Sequence, residues 1–404
     1  SQDEWIELFN PTSHTIDLSN IRLTSHSDSK PNIALSGTIP PGGYYIIERT
    51  DDTTISDIAA GMIASFGAGS GAGLSNSGEM LALEYHGAIL DQTPEIQTCS
   101  GWCGGYAEGG YPTMERIDSH TSGTEKTNWM TWIGYPKNGK TADRTTNING
   151  TPGKRNSADY LIDPSVSMLT KDKTLTKAKN PYIIMADFTI PSEKTLTVEA
   201  GTVIKFLEGG ISLAVEGILH TNGTKDSPVV FTSIKDDTYG GDTNQDGATS
   251  SPDHANWGTI NLWGSGSSLD HTIMRYGGLK DPGGSLWAII RRKNCDFSLS
   301  HSTIEFSGAY GIWLEHCTAT ITDNHIQYQN IHHNSDSTGL AATDSALTIN
   351  GNVFRDNYIG ALFHSTTGLD IISVTNNIFL EQESFAITLS GAYPAFSGNT
   401  AQEN

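Results

Sequence analysis

Short apolar runs alternate with polar corners along the whole chain. In the C-terminal half, a polar corner residue precedes an apolar pair at nearly regular intervals of 22, 28, 25 and 22 residues. A strand-like repeat of about 20–30 residues predicts a stacked solenoid, in which each coil buries the apolar face of its neighbours. The corner residues are Ser302, Asn324, Asn352, Asn377 and Asn399.

The N-terminal part shows a different pattern of short strands between turns. Residues 5–9 alternate in polarity, and the Pro-Pro-Gly-Gly turn at 40–43 leads into an apolar strand at 44–47. Residues 80–85 and 88–91 predict a hairpin. This spacing of strands and turns is typical of a β-sandwich.

Composition agrees with an all-β fold, because only 17% of the 404 residues are charged and 43 are glycine. We divide the chain into a β-sandwich at residues 1–156, a linker at 157–166 and a solenoid at 167–404. The linker is the segment at which the repeat pattern changes.

Five motifs in the first 156 residues resemble the lamin tail domain family as it occurs in bacterial secreted proteins. The resemblance implies an immunoglobulin-like β-sandwich with an adhesion or adaptor role rather than an enzyme. The strand that usually precedes the first motif is missing, so the edge beside Trp5 is open, filled by a preceding segment, or filled by another molecule. The motifs are Glu-Trp-Ile-Glu-Leu-Phe-Asn-Pro-Thr (4–12), Ile-Asp-Leu-Ser (16–19), Pro-Gly-Gly-Tyr-Tyr (41–45), Thr-Met-Glu-Arg-Ile (113–117) and Asn-Gly-Thr-Pro-Gly (149–153).

Residues 180–400 resemble the right-handed parallel β-helix repeats of secreted bacterial proteins. The segments that carry this resemblance are residues 196–206, 211–219, 228–232, 257–260 and 269–273. Several chemistries use this fold, so the resemblance implies architecture and does not settle function.

A twelve-residue stretch at 242–253, within an insertion at 236–256, fits a calcium-binding loop. Oxygen-bearing side chains occupy positions 1, 3, 5, 9 and 12, Gly247 permits the sharp turn at position 6, and position 7 offers its carbonyl. Asp253 stands where glutamate is usual, Pro252 prevents a helix from continuing through the loop, and Asp236 and Asp237 are further candidate ligands. The alternative is an acidic surface turn without metal. The predicted ligands are Asp242, Asn244, Asp246, Ala248, Ser250 and Asp253.

Four cysteines fall into two pairs, Cys99 with Cys103 and Cys295 with Cys317. The second pair is separated by one coil, so its members can stack on adjacent coils. Two disulfides fit an oxidising compartment, and the alternative is a four-cysteine zinc site.

Aligned coils predict an outward strip formed by Trp263, Trp287, Trp313 and Leu362. An exposed aromatic strip is typical of a sugar-binding or protein-docking surface. The alternatives are that the other domain covers the strip, or that the register is wrong by one residue, which would turn every side chain to the other face.

A lyase-like mechanism would need calcium-binding acids and a basic residue beside them. The candidates are Asp270, Arg275, Arg291, Arg292 and Lys293. Other acids of the repeats do not recur in register, so catalysis is the weaker interpretation.

The formal net charge of −21 argues against a nucleic-acid partner, which usually requires a basic patch. No leader or membrane-spanning run is visible, and the chain starts inside a strand and stops in mid-repeat, as a processed or truncated piece would. We expect a secreted, calcium-binding structural or adhesive protein of a bacterial surface assembly such as a fibre, filament or surface layer. It would self-associate or bind a surface partner through the edge near Trp5. The alternative is a polysaccharide-active enzyme or a carbohydrate-binding protein.

Overall fold

A computed structural model describes residues 4–67, 73–107, 109–279, 288–329, 337–368 and 371–402. The chain divides into two compact units, Ser1–Tyr160 and Leu161–Asn404. The regular elements of the described residues are strands apart from the short helix α1 (Ile96–Cys99) and the 3-10 turns at Lys126–Asn128, Ser157–Tyr160 and Lys177–Lys179. The all-β prediction is therefore confirmed. No helix within these ranges is long and apolar enough to cross a membrane.

The N-terminal unit contains eleven described strands, which form four sheets. The sheet orders are β1-β6-β7, β4-β3-β8-β9, β2-β5 and β10-β11. The predicted hairpin is confirmed, since β8 and β9 pair antiparallel. The strands are β1 (Trp5–Phe9), β2 (Ile16–Asp17), β3 (Ile21–Ser25), β4 (Asn32–Ala34), β5 (Thr38–Ile39), β6 (Tyr44–Arg49), β7 (Met62–Ala64), β8 (Leu81–Tyr85), β9 (Ala88–Gln92), β10 (Met114–Arg116) and β11 (Trp129–Thr131).

One apolar core joins the two larger sheets of this unit. Leu23 and Ile33 contribute from β3 and β4, and Tyr45 and Ile47 contribute from β6. The alternation of side chains along a strand explains which residues of β3 enter this core, because Arg22, between two buried positions, faces solvent. The two sheets therefore bury their apolar faces against each other.

The second unit is a parallel solenoid in which every third strand belongs to the same sheet. Its strands in chain order are β12 (Lys173–Leu175), β13 (Tyr182–Ile184), β14 (Phe188–Ile190), β15 (Thr195–Glu199), β16 (Val203–Phe206), β17 (Leu213–Val215), β18 (Ile218–Asn222), β19 (Val229–Ser233), β20 (Ile260–Leu262), β21 (Ser265–Asp270), β22 (Thr272–Arg275), β23 (Ala288–Lys293), β24 (Asp296–Ser300), β25 (Thr303–Glu305), β26 (Tyr310–Glu315), β27 (Thr318–Thr322), β28 (His325–Gln327), β29 (Thr338–Thr343), β30 (Ala346–Asn350), β31 (Val353–Arg355), β32 (Ile359–His364), β33 (Ile372–Thr375), β34 (Ile378–Leu380), β35 (Phe385–Ser390), β36 (Ala395–Ser397) and β37 (Thr400–Gln402).

Three long sheets run along the solenoid. The first sheet runs from β12 to β36 and the second from β13 to β37, with nine described strands each, and the third runs from β14 to β35 with eight. Their ladders are parallel, which confirms the predicted solenoid, and nine strands per sheet correspond to about nine turns. Inside the second sheet, Ile304, Ile326, Phe354 and Phe379 stack in one fully buried column.

The predicted corner residues form a hydrogen-bonded ladder, which is buried from Ser302 to Asn377. The Nδ2 of Asn352 donates to Oδ1 of Asn377 at 2.9 Å, and the Nδ2 of Asn377 donates to Oδ1 of Asn399 at 3.0 Å. Each corner side chain also accepts a backbone N–H of the preceding coil, as Asn324 does from Ser302 at 2.8 Å. Buried amides persist here because both their donors and their acceptors are satisfied.

The segment predicted as a linker, residues 157–166, includes buried side chains in both units. Ser157 and Ala158 are buried in the N-terminal unit, and Ile162 belongs to the apolar core of the solenoid. Asp163 is also buried and accepts hydrogen bonds from the backbone and the hydroxyl of Thr170 at 3.0 and 2.8 Å. The chain therefore enters the solenoid directly after Tyr160.

Both predicted disulfides are present. Cys99 and Cys103 are linked with a Cα–Cα distance of 5.2 Å. Cys295 and Cys317 are linked across adjacent coils with a Cα–Cα distance of 4.5 Å. The described cysteines are thus all paired as disulfides, which removes the four-cysteine zinc alternative.

Candidate functional site

The insertion between β19 and β20 is fixed to the solenoid at both ends. At its start, Asp236 is fully buried and accepts a hydrogen bond of 2.6 Å from the Thr232 hydroxyl. At its end, Trp257 is fully buried and stacks on Phe206, with ring centroids 4.2 Å apart. Its Nε1 donates to the carbonyl of Arg275 at 2.9 Å. These anchors place the intervening loop over the outer side of the second sheet.

Within the insertion, the loop winds around the carboxylate of Asp242. That carboxylate accepts the backbone N–H groups of Asp246 at 3.2 Å and Gly247 at 2.9 Å. Gly247 has a φ of 68°, which favours glycine at this position. The Nδ2 of Asn244 donates to Asp246 at 2.9 Å, and the Ser250 hydroxyl also donates to Asp246. Four of the six predicted ligands therefore lie together, whereas Ala248 is an exposed loop position.

Three carboxylates converge at this loop. One oxygen from each of Asp237, Asp242 and Asp246 lies within 4.8 Å of the others. Burial raises the pKa of Asp237, and the neighbouring charge of Asp242 raises it further. The buried Oδ1 atoms of Asp237, Asn244 and Asp246 accept no hydrogen bond from the part of the chain that the structure describes. Several oxygen atoms that converge on one point and accept no hydrogen bond are the kind of ligand set that a hard cation requires.

Asp253, predicted as the twelfth loop position, lies apart from this cluster. Its Oδ1 accepts the backbone N–H of His254 at 2.8 Å and lies 3.0 Å from Nδ1 of the same residue. Its side chain is 80% exposed. The carboxylate cluster therefore includes Asp237, the further candidate that precedes the loop, and does not include Asp253.

Lys205 lies beneath the loop and is fully buried. Its Nζ donates a hydrogen bond of 2.6 Å to the carbonyl of Gly241. Burial lowers the pKa of this ammonium to about 8, although the nearby charges of Asp236, Asp237 and Asp242 act in the opposite direction. The lysine therefore joins the loop backbone to the sheet beneath it.

Arg275, a candidate base, is enclosed by its neighbours. Its Nε lies 3.3 Å from Glu305 and its Nη1 lies 3.8 Å from Asp236. Its Cζ lies 4.5 Å from the ring centroid of Tyr276, whose hydroxyl accepts a hydrogen bond of 2.6 Å from Nη2. Only 14% of the side chain is exposed. A guanidinium held in this way fastens the insertion to the sheet through Asp236.

An aromatic stack that the sequence interpretation missed runs beside Arg275. Tyr276, Phe306 and Tyr328 occupy the same corner in three successive coils, with neighbouring ring centroids 5.2 Å apart and nearly parallel. His254 of the insertion packs edge-on against Phe306 at 5.6 Å. The sequence did contain a signal for this stack, because an aromatic residue directly follows each of the strands β22, β25 and β28.

Asp270, a candidate acid, is bound to two histidines. Its carboxylate lies 2.9 Å from Nδ1 of His271 and 2.8 Å from Nδ1 of His301, and it accepts a hydrogen bond of 2.7 Å from the Ser300 hydroxyl. Burial raises the pKa of Asp270, but these hydrogen bonds outweigh it and bring the pKa to about 2. Asp270 is therefore ionised at neutral pH, as a calcium-binding acid must be, but both of its oxygens already contact His271, His301 or Ser300.

On the third sheet, the ladders place Asn261, Arg291 and Trp313 in successive rows of one outward column, which continues through Ala341 and Leu362 to Thr388. Ile290 and Arg291 therefore pair with Ile260 and Asn261 of β20, and Arg291 occupies the outward position of this coil. Trp287 lies outside the described residues. The sequence alignment was displaced here because Arg291 and Arg292 interrupt the apolar pattern.

The predicted strip residues differ in exposure. Trp313 and Leu362 are half-buried and pack against the cluster of Ala288, Ala309, Tyr310 and Ala341. Trp263 is 56% exposed and follows β20 outside the shared column. Basic groups accompany both rings, with the Cζ of Arg291 lying 5.6 Å from the centroid of Trp313 and that of Arg292 4.3 Å from the centroid of Trp263.

In the N-terminal unit, polar residues of the quoted motifs form internal contacts. Glu4 pairs with Arg49 at 3.0 Å, and Glu7 accepts the backbone N–H of Gly153 at 2.5 Å. Glu115 is buried and accepts the backbone N–H of Ser157 at 2.7 Å. Burial raises the pKa of Glu7 to about 8, and Glu115 adds to this effect. These carboxylates tie distant segments of the unit together.

The comparisons with known proteins concern the solenoid. The family described as pectate-lyase-like β-helix domain matches residues 167–281. Over 68 residues, 17% of this chain, the sequence is 37% identical to Protein bark beetle of Drosophila melanogaster, and the match spans about 2% of the length of that protein. No solved structure matches the chain. The fold and the family match together support a pectate-lyase-like β-helix domain at residues 167–281, within a solenoid of about nine turns.

Proposed function

We propose that this is an extracellular structural or adhesive protein of a surface assembly, in which the solenoid is a rigid platform without catalytic activity. The observation that carries the proposal is that two candidate catalytic side chains, Arg275 and Asp270, are engaged in contacts within the solenoid. Arg275 fastens the insertion to Glu305 and Asp236, and Asp270 is bound by two histidines and Ser300. The two disulfides are compatible with an oxidising, secreted environment.

Calcium is the cofactor that the insertion fits best. Ca²⁺ takes six to eight oxygen ligands, many of them carboxylate and amide oxygens. Asp237, Asp242 and Asp246 would supply carboxylate oxygens and Asn244 an amide oxygen, because three of these four residues carry buried acceptors that lack a donor. Ser250 lies beside Asp246. The ion would neutralise the converging carboxylates and hold the insertion against the sheet, which is a structural role.

For the N-terminal unit, we propose a lamin-tail-like domain with an immunoglobulin-like sandwich. Support comes from the contacts of the motif residues. Asn10 of the first motif donates to the carbonyl of Ile39 at 2.9 Å, just before the third motif. Glu7 of the first motif accepts from Gly153 of the last motif. Motifs that are distant in sequence are therefore joined by hydrogen bonds within one unit, as expected if together they define a single domain.

The edge strand β1 is the proposed site of self-association. In the described part of the chain β1 pairs with β6 alone, and Phe9 at its end is 41% exposed. An unpaired strand edge is a template for pairing with another chain. A second copy of this chain is the proposed occupant.

A Phe9→Lys variant tests this edge, because edge lysines oppose strand pairing. Sedimentation velocity should detect a concentration-dependent oligomer of the wild type that the variant loses. The matched control is Ile89→Lys, which places the same charge on an exposed position of the edge strand β9. A wild type that stays monomeric at every concentration contradicts the self-association.

Activity assays separate the structural role from catalysis. The full chain should release no product from acidic polysaccharides in the presence of calcium, measured as reducing ends and as unsaturated products. Turnover that disappears in Asp270→Asn or Arg275→Lys would overturn the structural proposal. Ordered filaments of purified protein in electron micrographs would support it.

A second candidate function, polysaccharide binding or cleavage on the outer face, is favoured by the pectate-lyase-like family match. Arg291 and Arg292 beside the rings of Trp313 and Trp263 would suit a sugar that carries carboxylates. Isothermal titration with acidic oligosaccharides should then show binding that Trp263→Ala and Arg291→Ala abolish. Thr348→Ala, an exposed position on the first sheet, is the control.

A further inference from the structure

Three successive coils bring His271, His301 and Asp323 to the same corner, which ends the first sheet. All three residues have positive φ angles, of 45°, 49° and 56°. The N–H of His271 donates to the carbonyl of Ser300 at 3.1 Å, and the N–H of His301 donates to that of Thr322 at 3.2 Å. The coil repeat therefore fixes the three side chains one above another.

Asp270 orients both imidazoles of this corner. Its Oδ2 lies 2.9 Å from Nδ1 of His271, and its Oδ1 lies 2.8 Å from Nδ1 of His301. The rings stack with centroids 4.6 Å apart and an interplanar angle of 18°. Because both Nδ1 atoms face one carboxylate, the two Nε2 atoms carry the free lone pairs when the rings are neutral.

A carboxylate also lies on the Nε2 side of the pair. The Oδ2 of Asp323 is 4.0 Å from Nε2 of His301. One potential ligand atom from each of Asp270, His271 and His301 lies within 4.8 Å of the others, and Asp323 lies outside this group, next to His301. Two imidazoles with adjacent carboxylates form a nitrogen and oxygen donor set, which suits zinc and related transition metals rather than calcium.

Simple ion pairing accounts less well for this corner. Exposed pairs contribute little stability, and protonation of both stacked rings would place two positive charges about one ring spacing apart. A carboxylate on Nδ1 fixes the tautomer and orientation of a histidine whose Nε2 binds metal, as is usual around protein metal sites. The arrangement of Asp270, His271 and His301 has this form.

We propose that His271 and His301 bind a transition-metal ion of the zinc type through their Nε2 atoms, with Asp323 as a third ligand and Asp270 as the orienting carboxylate. The site is separate from the calcium loop, whose ligands are all oxygens. Three protein ligands leave a position open to water or to a ligand from a partner.

The test uses untagged full-length protein that has been stripped of metal and then saturated with Ca²⁺, so that the oxygen site is filled. Isothermal titration with ZnCl₂ should show one ion per chain, and Co²⁺ should give the visible absorption of a nitrogen-ligated site. His271→Asn and His301→Asn should abolish both signals. Asparagine suits these positions because it tolerates positive φ. Asp270→Asn should weaken Zn²⁺ binding about 10- to 100-fold.

The matched control is His316→Asn, which changes a histidine with a φ of 53° beside the carboxylate of Glu315. It should leave the zinc isotherm unchanged. Absence of stoichiometric binding in the wild type overturns the proposal. An equal loss in His316→Asn, or an unchanged isotherm in the His271→Asn, His301→Asn double variant, also overturns it. Circular dichroism in Ca²⁺ verifies that each variant is folded.

Discussion

The Nδ2 of Asn324 donates a hydrogen bond of 2.9 Å to Oδ1 of Asn352, which lies one coil further along the solenoid. The same Oδ1 accepts the backbone N–H of Asn324, also at 2.9 Å. Both residues are fully buried. One amide oxygen thus satisfies two donors of the preceding coil, away from water.

Replacing Asn352 with alanine should destabilise the solenoid by roughly 3 kcal/mol or more, because several buried groups lose their partners. The affected groups include two donors of Asn324 and the carbonyl of Ile321, which accepts from Asn352 at 2.8 Å. Urea unfolding measures the loss. Thr348→Ala on the exposed face is the control, and a change no larger than the control's would contradict the ladder's role.

Calcium should raise the melting temperature of the full chain, and a chelator should reverse this effect. Asp246→Asn and Asp237→Asn should weaken calcium binding strongly, since each removes a charged ligand from the cluster. Asp253→Asn should change the affinity little, because Asp253 faces His254 and solvent. Calorimetric titration distinguishes these outcomes. Equal losses in Asp253→Asn and Asp237→Asn would favour the ligand set predicted from the sequence.

The stability of the N-terminal unit should fall as the pH rises from about 4.5 to about 8. Burial raises the pKa of Glu7 in the folded chain from 4.5 to about 8. Between these pH values the folded state holds a proton that the unfolded state has released. The contribution of this proton to the free energy of unfolding is complete below pH 4.5 and is lost as the pH rises to about 8. The slope for one such proton is at most about 1.4 kcal/mol per pH unit. The pKa of the buried Glu48 is raised to about 7, so its deprotonation adds a further loss of stability as the pH rises from about 4.5 to about 7.

Glu7→Gln should reduce this pH dependence and raise the melting temperature at pH 8, because a neutral amide still accepts the N–H of Gly153. Scanning calorimetry at pH 5 and pH 8 measures the change. The exposed Glu125→Gln is the control and should leave the dependence unchanged. A wild type with equal stability at both pH values would show that Glu7 titrates normally.

Removing the Cys295–Cys317 disulfide with a double serine substitution should destabilise the solenoid by about 3 kcal/mol, as loop closure over 22 residues suggests. The Cys99–Cys103 bridge spans a separation of only 4 residues, so its removal should cost about 2 kcal/mol or less. Denaturant unfolding compares the two variants. A larger loss for the short bridge would contradict the loop-length explanation.

Residue types with a fixed physical role made the solenoid predictable. Asparagine at the corner recurs because a buried turn needs both amide groups, so Asn324, Asn352 and Asn377 marked the coils correctly. The third sheet was harder to align, since Arg291, Arg292 and Lys293 of β23 interrupt the apolar pattern by which the coils were aligned. Period-two patterns permit such slips when charged side chains lie in the strand.

The candidate sites were only partly predictable because they depend on contacts between segments. The twelve-residue spacing predicted that Asp242 and Asp246 lie close together, whereas Asp237, named only as a further candidate, joins their cluster from outside the twelve residues. Asp270, His271 and His301 meet only when two coils are in register, which requires the observed pairing of β21 with β24. The aromatic stack at Phe306 has the same origin.

The corner ladder continues although successive coils differ in length by up to six residues. The extra residues therefore lie between the ladder positions of successive coils. Segments added between these positions leave the hydrogen bonds of the corner ladder in place. The insertion anchored by Asp236 and Trp257 is an example of such an addition. The solenoid can thus carry inserted segments between its strands while the corner ladder keeps the coils in register.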